Sequence, residues 1–341
     1  MRSIAFELLR RVFEDDAYAN LLLPKLLAEA NVDSRDAGFI QELSFGTLRN
    51  KLFYEKVIAV ASSRDIASID SNALTVLLLG AHQLLGMRVP VHASINESVN
   101  LAKAKASKSV VGFVNAVLRR ISEKSRQQWV EIVTQDTKTA EEKLSIEHSH
   151  PLWIVRALKG ALESRGLGHS LENLLIADNI PAKVSVAALP GFSSIRSLAS
   201  YGEPGEASPI AVELNVTPAN VPEIKQGYAR VQDQGSQLAV LALVNAEVRV
   251  EDSVWLDVCA GPGGKAALMS AVATSRGIVF EANESSEHRA KLVEQALRPI
   301  SKTKVRVSDG REIGSGGSRY SRILLDAPCT GLGALRRRPE A

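Results

Sequence analysis

Apolar residues recur with a helical period through the first third of the chain. Ile4, Leu8, Leu9, Val12 and Phe13 fall on one face of a helix. Leu74, Leu77, Leu78, Ala81 and Leu85 repeat that spacing and end near Gly86. Val110, Phe113, Val114, Val117, Leu118 and Ile121 form a third stripe, and Pro90 breaks the chain between the middle helices. Residues 4 to about 130 therefore predict a helical bundle with short connections. Residues 131 to 149 are polar and charged and predict a connecting helix or linker. His148-Ser149-His150-Pro151 reads as a turn, because no further ligand stands at zinc spacing nearby, and no metal site is expected. Pro151-Leu152-Trp153-Ile154-Val155 then opens another helix.

The pattern changes at Ala182. Short strands follow, set off by Pro181, Pro190, Pro204, Pro209, Pro218 and Pro222, and predict a small α+β subdomain. Four further strands each end in a glycine turn or an acid. Val254-Trp255-Leu256 runs into Asp257-Val258-Cys259-Ala260-Gly261-Pro262-Gly263-Gly264-Lys265, and Ala266 to Ala273 continues as a helix. Gly277 to Phe280 precedes Glu284, Lys304 to Val307 ends in Asp309-Gly310, and Arg322 to Leu325 ends in Asp326-Ala327-Pro328-Cys329. Ser315-Gly316-Gly317-Ser318 reads as a short flexible loop between the last two strands. An open α/β sheet binds its ligand along the carboxyl edge of the strands, where all of these groups lie.

A strand that feeds a glycine turn and then a helix suits a nucleotide cofactor, since glycines admit close backbone approach and the helix start offers free N–H groups. The wording is not the G-x-G-x-x-G of a dinucleotide site. Asp257 at the strand end would repel pyrophosphate and attract a cation. S-adenosylmethionine carries an ammonium and a sulfonium and no phosphate, so the charge favours it over NAD; an NAD-dependent dehydrogenase is the weaker alternative. Glu284 stands about 20 residues past the turn, the spacing at which an acid reaches ribose hydroxyls. Asp309 is a candidate for the adenine amino group. Taken singly, an acid after a strand is usually a helix cap and a lone cysteine usually a buried filler. The ordered set is more specific than its members.

Asp257 to Lys265 and Asp326 to Cys329 resemble the cofactor and proline-cysteine motifs of RNA 5-methylcytosine methyltransferases. Val231-Gln232-Asp233-Gln234-Gly235-Ser236-Gln237 resembles the helix-opening motif ahead of their cofactor domain. Glu42 to Arg49, Val91 to Val99 and Gly112 to Arg120 resemble the NusB-like RNA-binding domain fused to some of them. The combination is similar to the bacterial RsmB (Sun/Fmu) family of small-subunit ribosomal RNA cytosine-C5 methyltransferases, over nearly the whole chain. The resemblance implies an all-α NusB-like bundle at 1–130, then a linker helix and a small α+β RNA-recognition-like subdomain at 131–228. An α/β Rossmann-like methyltransferase domain would fill 229–341. It implies that Asp257, Cys259, Ala260, Gly261, Pro262, Gly263, Gly264, Lys265, Glu284, Asp309 and Asp326 frame S-adenosylmethionine. Asp326 also holds the cytosine edge, and Cys329 faces the base.

In that family the proline-cysteine thiol assists resolution of a covalent adduct, and the nucleophile lies in a later threonine-cysteine motif. This sequence contains only Cys259 and Cys329 and no such motif. The methyltransferase domain is therefore read as incomplete, ending in a bare edge strand with Leu324-Leu325, and is expected to be unstable and inactive. The alternative function is that of a non-catalytic RNA-binding protein in antitermination or ribosome assembly.

A net charge of +3 says little by itself. Its distribution says more. Lys103, Lys105, Lys108, Arg119, Arg120, Lys124 and Arg126 crowd one stretch against the single acid Glu123. Together with Arg336, Arg337 and Arg338 they are candidate contacts to RNA phosphate, although most charge runs are merely solvated faces. Ribosomal RNA is the expected partner, with no DNA or membrane, and a monomer is expected. Two cysteines suggest a reducing compartment. No run approaches the length of a membrane span and no signal-peptide core opens the chain, so a cytoplasmic location is expected.

Overall fold

The computed structural model describes residues 1–316 and 320–340. It divides into two units, Met1–Ala182 with Gly331–Ala341, and Lys183–Thr330. Of the loop expected at 315–318, Gly317 and Ser318 lie outside the described residues, and a 3₁₀ segment, Gly310–Gly316, leads up to them.

The expected helical bundle is present. Helices Arg2–Asp15, Ser34–Arg49, Lys51–Ser62, Val91–Lys105 and Val111–Ser122 surround Ser71–Leu85. That central helix is capped by Asp70, whose carboxylate accepts from the Ala73 N–H at 2.9 Å. It is buried nearly all round rather than along a stripe, with Leu77, Leu78 and Leu79 all fully enclosed. Two of its polar residues pair internally. Gln83 accepts from Arg2 Nε at 2.7 Å, and His82 Nδ1 pairs with the Tyr54 hydroxyl at 2.8 Å. Gly46 makes room for His82, since a Cβ there would lie 2.1 Å from its Nε2. The Glu42 to Arg49 motif thus serves the interior of the bundle.

Helices continue past residue 130. Arg126–Thr134 opens with a capping box at Ser125 and sends Trp129 and Val130 into the bundle core. Ala140–Glu147, Leu152–Glu163 and Leu171–Asn179 follow, packed on a small cluster of their own around Val155, Leu171 and Leu175. His148–His150 forms the turn between two of them, with Ser149 in the left-handed region at φ 57°.

The second unit holds two sheets. In the first, β1 (Ser185–Ala188), β2 (Gly202–Pro204), β3 (Ala211–Leu214) and β4 (Ala229–Val231) lie in the order β2-β3-β1-β4, all antiparallel. Helix Ile195–Leu198 joins β1 to β2, and Pro222–Gln226 joins β3 to β4. That is the split β-α-β arrangement. In the second sheet, β5 (Val254–Asp257), β6 (Val279–Asn283), β7 (Val305–Arg306) and β8 (Arg322–Leu324) are parallel in the order β7-β6-β5-β8. Helices Gln234–Asn245, Gly264–Ser275 and Glu287–Leu297 pack around it over Trp255, Leu268, Met269 and Val293.

Three boundaries differ from the expectation. The second strand of this sheet begins at Val279 rather than Gly277, because Gly277 at φ 70° ends the preceding helix. The third shortens to Val305–Arg306. At β8 the exposed apolar pair is Ile323 and Leu325, whereas Leu324 packs on the core. The strand pairs with β5 alone among the described residues.

Candidate functional site

The chain leaves β5 toward β6 on one side and returns at β8 on the other. The carboxyl ends of β5 and β8 therefore flank a topological switch point, where parallel α/β sheets open a crevice. A cleft of about 220 Å³ lies there, lined by Cys259, Gly261, Pro262, Lys265 and Asp326 together with Gln232, Asp233 and Ser236. The sheet thus brings together the glycine turn, the acid of the proline-cysteine loop and the start of helix Gln234–Asn245. Lys265 Nζ donates to Asp326 Oδ2 at 2.7 Å and ties the turn to that loop.

Two glycines of the turn are dictated by their surroundings. Gly263 adopts φ 106°, and a Cβ on it would lie 2.6 Å from the Ala296 Cβ of the next helix. A Cβ on Gly261 would lie 2.4 Å from Glu284 Oε2. The Gly261 N–H donates to that same oxygen at 3.0 Å. Gly264 carries no such restriction.

Glu284, expected at a ribose, is buried directly behind the turn and is not among the cleft-lining residues. Its Oε1 accepts from the Ser286 N–H at 3.1 Å, and Arg289 Nη2 stands 3.4 Å from its Oε2. The same Arg289 nitrogen donates to the Gly261 carbonyl at 2.8 Å. Arg289 therefore clamps turn and acid as one unit, a role that sequence reading missed; the signal available was a basic residue in the first turn of the helix that follows Glu284. Asn283, also missed, holds the sheet edge together. Its Nδ2 donates to the carbonyls of Val258 and Ser308, each at 3.0 Å, and its Oδ1 accepts from the Ser308 hydroxyl at 2.8 Å.

Asp257 is 1% exposed, and its Oδ1 has no hydrogen-bond partner among the described residues. Burial pushes its carboxyl up to about 7, with Asp326 and Glu284 adding to the rise and the Cys259 N–H and Lys265 opposing it. Burial and the same acids push the Cys259 thiol up, Asp257 foremost among them. Asp309 behaves differently. Its hydrogen bonds to Arg311 hold it down to about 2, and it sits in an exposed loop outside the cleft-lining set.

Cys329 is exposed and free. Among the basic candidates, Lys103, Lys105, Lys108, Arg119 and Arg120 are all exposed, and Arg120 also donates to the Ala61 carbonyl at 2.9 Å. Arg126 instead stacks on Phe53, 4.5 Å from the ring centre, and donates to Asn50 Oδ1. Its charge serves the fold. Arg336, Arg337 and Arg338 group with the helical unit. Arg336 Nε donates to the Ile180 carbonyl at 2.9 Å, and Arg338 lies 4.5 Å from the Tyr18 ring centre.

Two family models match the chain: the NusB family over residues 1–123, and 16S rRNA methyltransferase RsmB/F over residues 242–341. A Mycobacterium tuberculosis protein named as a methyltransferase, Rv1407, is 42% identical over 344 residues, covering 100% of this chain and 74% of that protein. Ribosomal RNA small subunit methyltransferase B of Photorhabdus laumondii is 29% identical over 355 residues, covering 100% of this chain and 77% of that protein. The crystal structure of PH0851 superposes with a TM-score of 0.72 at 16% identity, covering 99% of this chain and 75% of that one, and shows the shared fold.

S-adenosylmethionine is the cofactor of this methyltransferase, and the residues present fit it. The unpartnered Asp257 oxygen is an acceptor suited to an ammonium, and the acids outnumber the cations around the turn. The glycines leave the backbone open to close approach, and no phosphate cradle is needed. Replacing Arg289 by Ala is expected to weaken cofactor affinity about fivefold, the loss of one partly exposed charge-assisted hydrogen bond. Lys in its place should recover part of that, and maximal turnover should hold. Titration calorimetry with the cofactor, beside steady-state kinetics, checks this, and an unchanged affinity in the Ala variant would contradict the clamp. With a NusB family match over its helical bundle, an RsmB/F match over its parallel sheet and a methyltransferase relative at 42% identity, the chain belongs to the RsmB/F family of 16S rRNA methyltransferases.

Proposed function

We propose that the chain methylates cytosine at C5 in small-subunit ribosomal RNA through a covalent cysteine adduct. The observation that carries this reading is the 2.7 Å bond from Lys265 to Asp326. It joins the methyl-donor turn to the loop that bears Pro328 and Cys329, so donor and base are handled side by side. C5 of cytosine is a poor nucleophile until a thiolate adds to C6 and makes C5 enamine-like. The bound cofactor supplies an electrophilic methyl group. A base then removes the C5 proton as the sulfur departs.

This chain's own residues divide the work. Asp257, Glu284 and the Gly261–Gly263 backbone hold the donor. Asp309 belongs to the same proposal as an adenine contact, which requires its loop to turn from Arg311. Asp326 fixes the base edge and is itself fixed by Lys265. Of the two thiols, Cys259 is a poor nucleophile, since burial and three acids disfavour its thiolate. Cys329, exposed on its loop, meets the base and assists resolution of the adduct, while the thiolate that adds to C6 is that of the family's threonine-cysteine motif, which these residues do not include. The exposed Lys103, Lys105, Lys108, Arg119 and Arg120 supply phosphate contacts, with Arg336, Arg337 and Arg338. The protein acts as a monomer on RNA, not DNA, in the cytoplasm.

The test is transfer of labelled methyl groups to small-subunit ribosomal RNA, with the product base read by mass spectrometry. 5-Methylcytosine is expected, and any other methylated base overturns the reading. In a chain that also carries the family's threonine-cysteine motif, Cys329→Ala should accumulate a protein–RNA complex that survives denaturation. No complex and no product would make Cys329 the nucleophile. Normal turnover would remove it from the chemistry.

A further inference from the structure

A cavity of about 290 Å³ opens in the helical unit, lined among others by Arg49, Lys51, Glu55, His150, Asp178 and Glu340. Its volume is at the lower end of ligand-sized pockets, about 300 Å³ and above. Arg49 is 9% exposed, its guanidinium lies 5.9 Å from the Phe45 ring centre, and its Nε has no hydrogen-bond partner among the described residues. A guanidinium so placed normally faces a carboxylate at bonding distance. Here burial lowers its pKa, the neighbouring Arg336 lowers it further, and only Glu42 opposes. Glu42 is already engaged 3.4 Å from His82 Nε2. Arg336 is held by neutral carbonyls, those of Ile180 and Pro181. Lys51 and Glu55 cancel each other at 2.9 Å. Arg336 also faces Asp178, so the guanidinium left without a hydrogen-bonded anion among the described residues is that of Arg49, in a cavity whose wall also holds Asp178 and Glu340.

The remaining wall groups narrow the ligand. Asp178 and Glu340 are both pushed above the ordinary carboxyl range by burial. Neither oxygen of Glu340 has a close hydrogen-bond partner among the described residues, although the Ala19 backbone N–H acts on the carboxyl, and Arg338 Nε stands 3.9 Å away. Two such carboxyls oppose a dianion but tolerate a single negative charge beside Arg49. They also offer acceptors to a hydroxyl. A phosphodiester is singly charged and matches the fork of a guanidinium. The ribose 2′-hydroxyl beside it is the donor that separates RNA from DNA.

We propose that this cavity takes one ribose–phosphate unit of the RNA substrate, with Arg49 donating to the phosphodiester and Glu340 accepting the 2′-hydroxyl. The proposal rests on the RNA reading above and adds to it a second contact site, built on the helical unit.

The experiment uses the full chain, a single-stranded ribosomal RNA oligonucleotide and DNA of the same sequence, with affinities from fluorescence anisotropy at several salt concentrations. Arg49→Met should weaken RNA binding about tenfold. It should also flatten the salt dependence by about 0.7 in slope, one phosphate contact on a single strand. Its melting temperature should hold or rise, because an unpaired buried charge is gone. Glu340→Met should reduce the preference for RNA over DNA while leaving DNA affinity unchanged. Unchanged RNA affinity in Arg49→Met, with a lowered melting temperature, would make Arg49 an internal structural charge and overturn the proposal. Displacement of the RNA by millimolar inorganic phosphate in the wild type but not in Arg49→Met would assign the cavity to free phosphate and overturn it equally. Methyl transfer by the wild type is scored separately, so loss of the cavity contact and loss of the methylation reading are told apart.

Discussion

Asp257→Asn is expected to abolish cofactor binding and, at the same time, to stabilise the protein above neutral pH. The carboxyl is 1% exposed and titrates near 7 in the folded chain, against 3.8 for an ordinary aspartate. The folded state thus holds a proton that the unfolded state has released between those values. The stability linked to that proton is fully present below about pH 4 and is lost as pH rises through about 7. A gap of this size is worth about 4 kcal/mol at 1.36 kcal/mol per unit. Asparagine removes the charge but buries an amide, so a net gain of about 2 kcal/mol at pH 8 is expected. Cofactor binding has the opposite dependence. If the proposed assignment of Asp257 to the cofactor ammonium holds, that contact needs the carboxylate, so wild-type affinity should climb from pH 5 toward 7 and then level. Urea denaturation at pH 5 and pH 8, beside calorimetric titration across the same range, measures both. A variant less stable than the wild type at pH 8, or a wild-type affinity flat with pH, would contradict the account.

Gly263→Val should also eliminate cofactor binding, here through the backbone and packing. At φ 106° a β-branched side chain is strained, and its Cβ would sit 2.6 Å from Ala296 Cβ and 3.2 Å from Val293 Cα. Helix Glu287–Leu297 would have to retreat from the turn. The left-handed conformation costs about 1–2 kcal/mol and overpacking about 1–3 kcal/mol, for a loss of about 2–5 kcal/mol. Gly264→Ala, where a Cβ meets nothing within 4 Å, is the stability control and should melt close to the wild type. Equal melting temperatures for Gly263→Val and the wild type would refute the packing argument.

These two positions show different degrees of legibility. Gly263 was readable, because a strand, a glycine turn and a helix are neighbours in the chain. The carboxylate character of the Asp257 position was also readable, but its protonation was not. That depends on Asp326 and Glu284, which approach only when β5, β6 and β8 align. Glu284 was found by spacing, yet its partner Arg289 and its burial behind Gly261 are tertiary facts. Arg126 appeared in the sequence as one more cation of a basic run. Only packing shows that it stacks on Phe53. The start of β6 was misplaced because Gly277 closes a helix, and a glycine before an apolar run reads equally well as a strand entry.

The sequence by itself determined the helical bundle, the order of strands and turns, and the residue types that line the cofactor turn. All of these follow from periodicity and from contacts between chain neighbours. Tertiary structure alone decided which acids lie close enough to raise one another, which basic residues face solvent, and that Arg49 is enclosed with its Nε lacking a hydrogen bond among the described residues. Burial and pairing are set by segments far apart in the chain, and these determine the charge state on which binding depends.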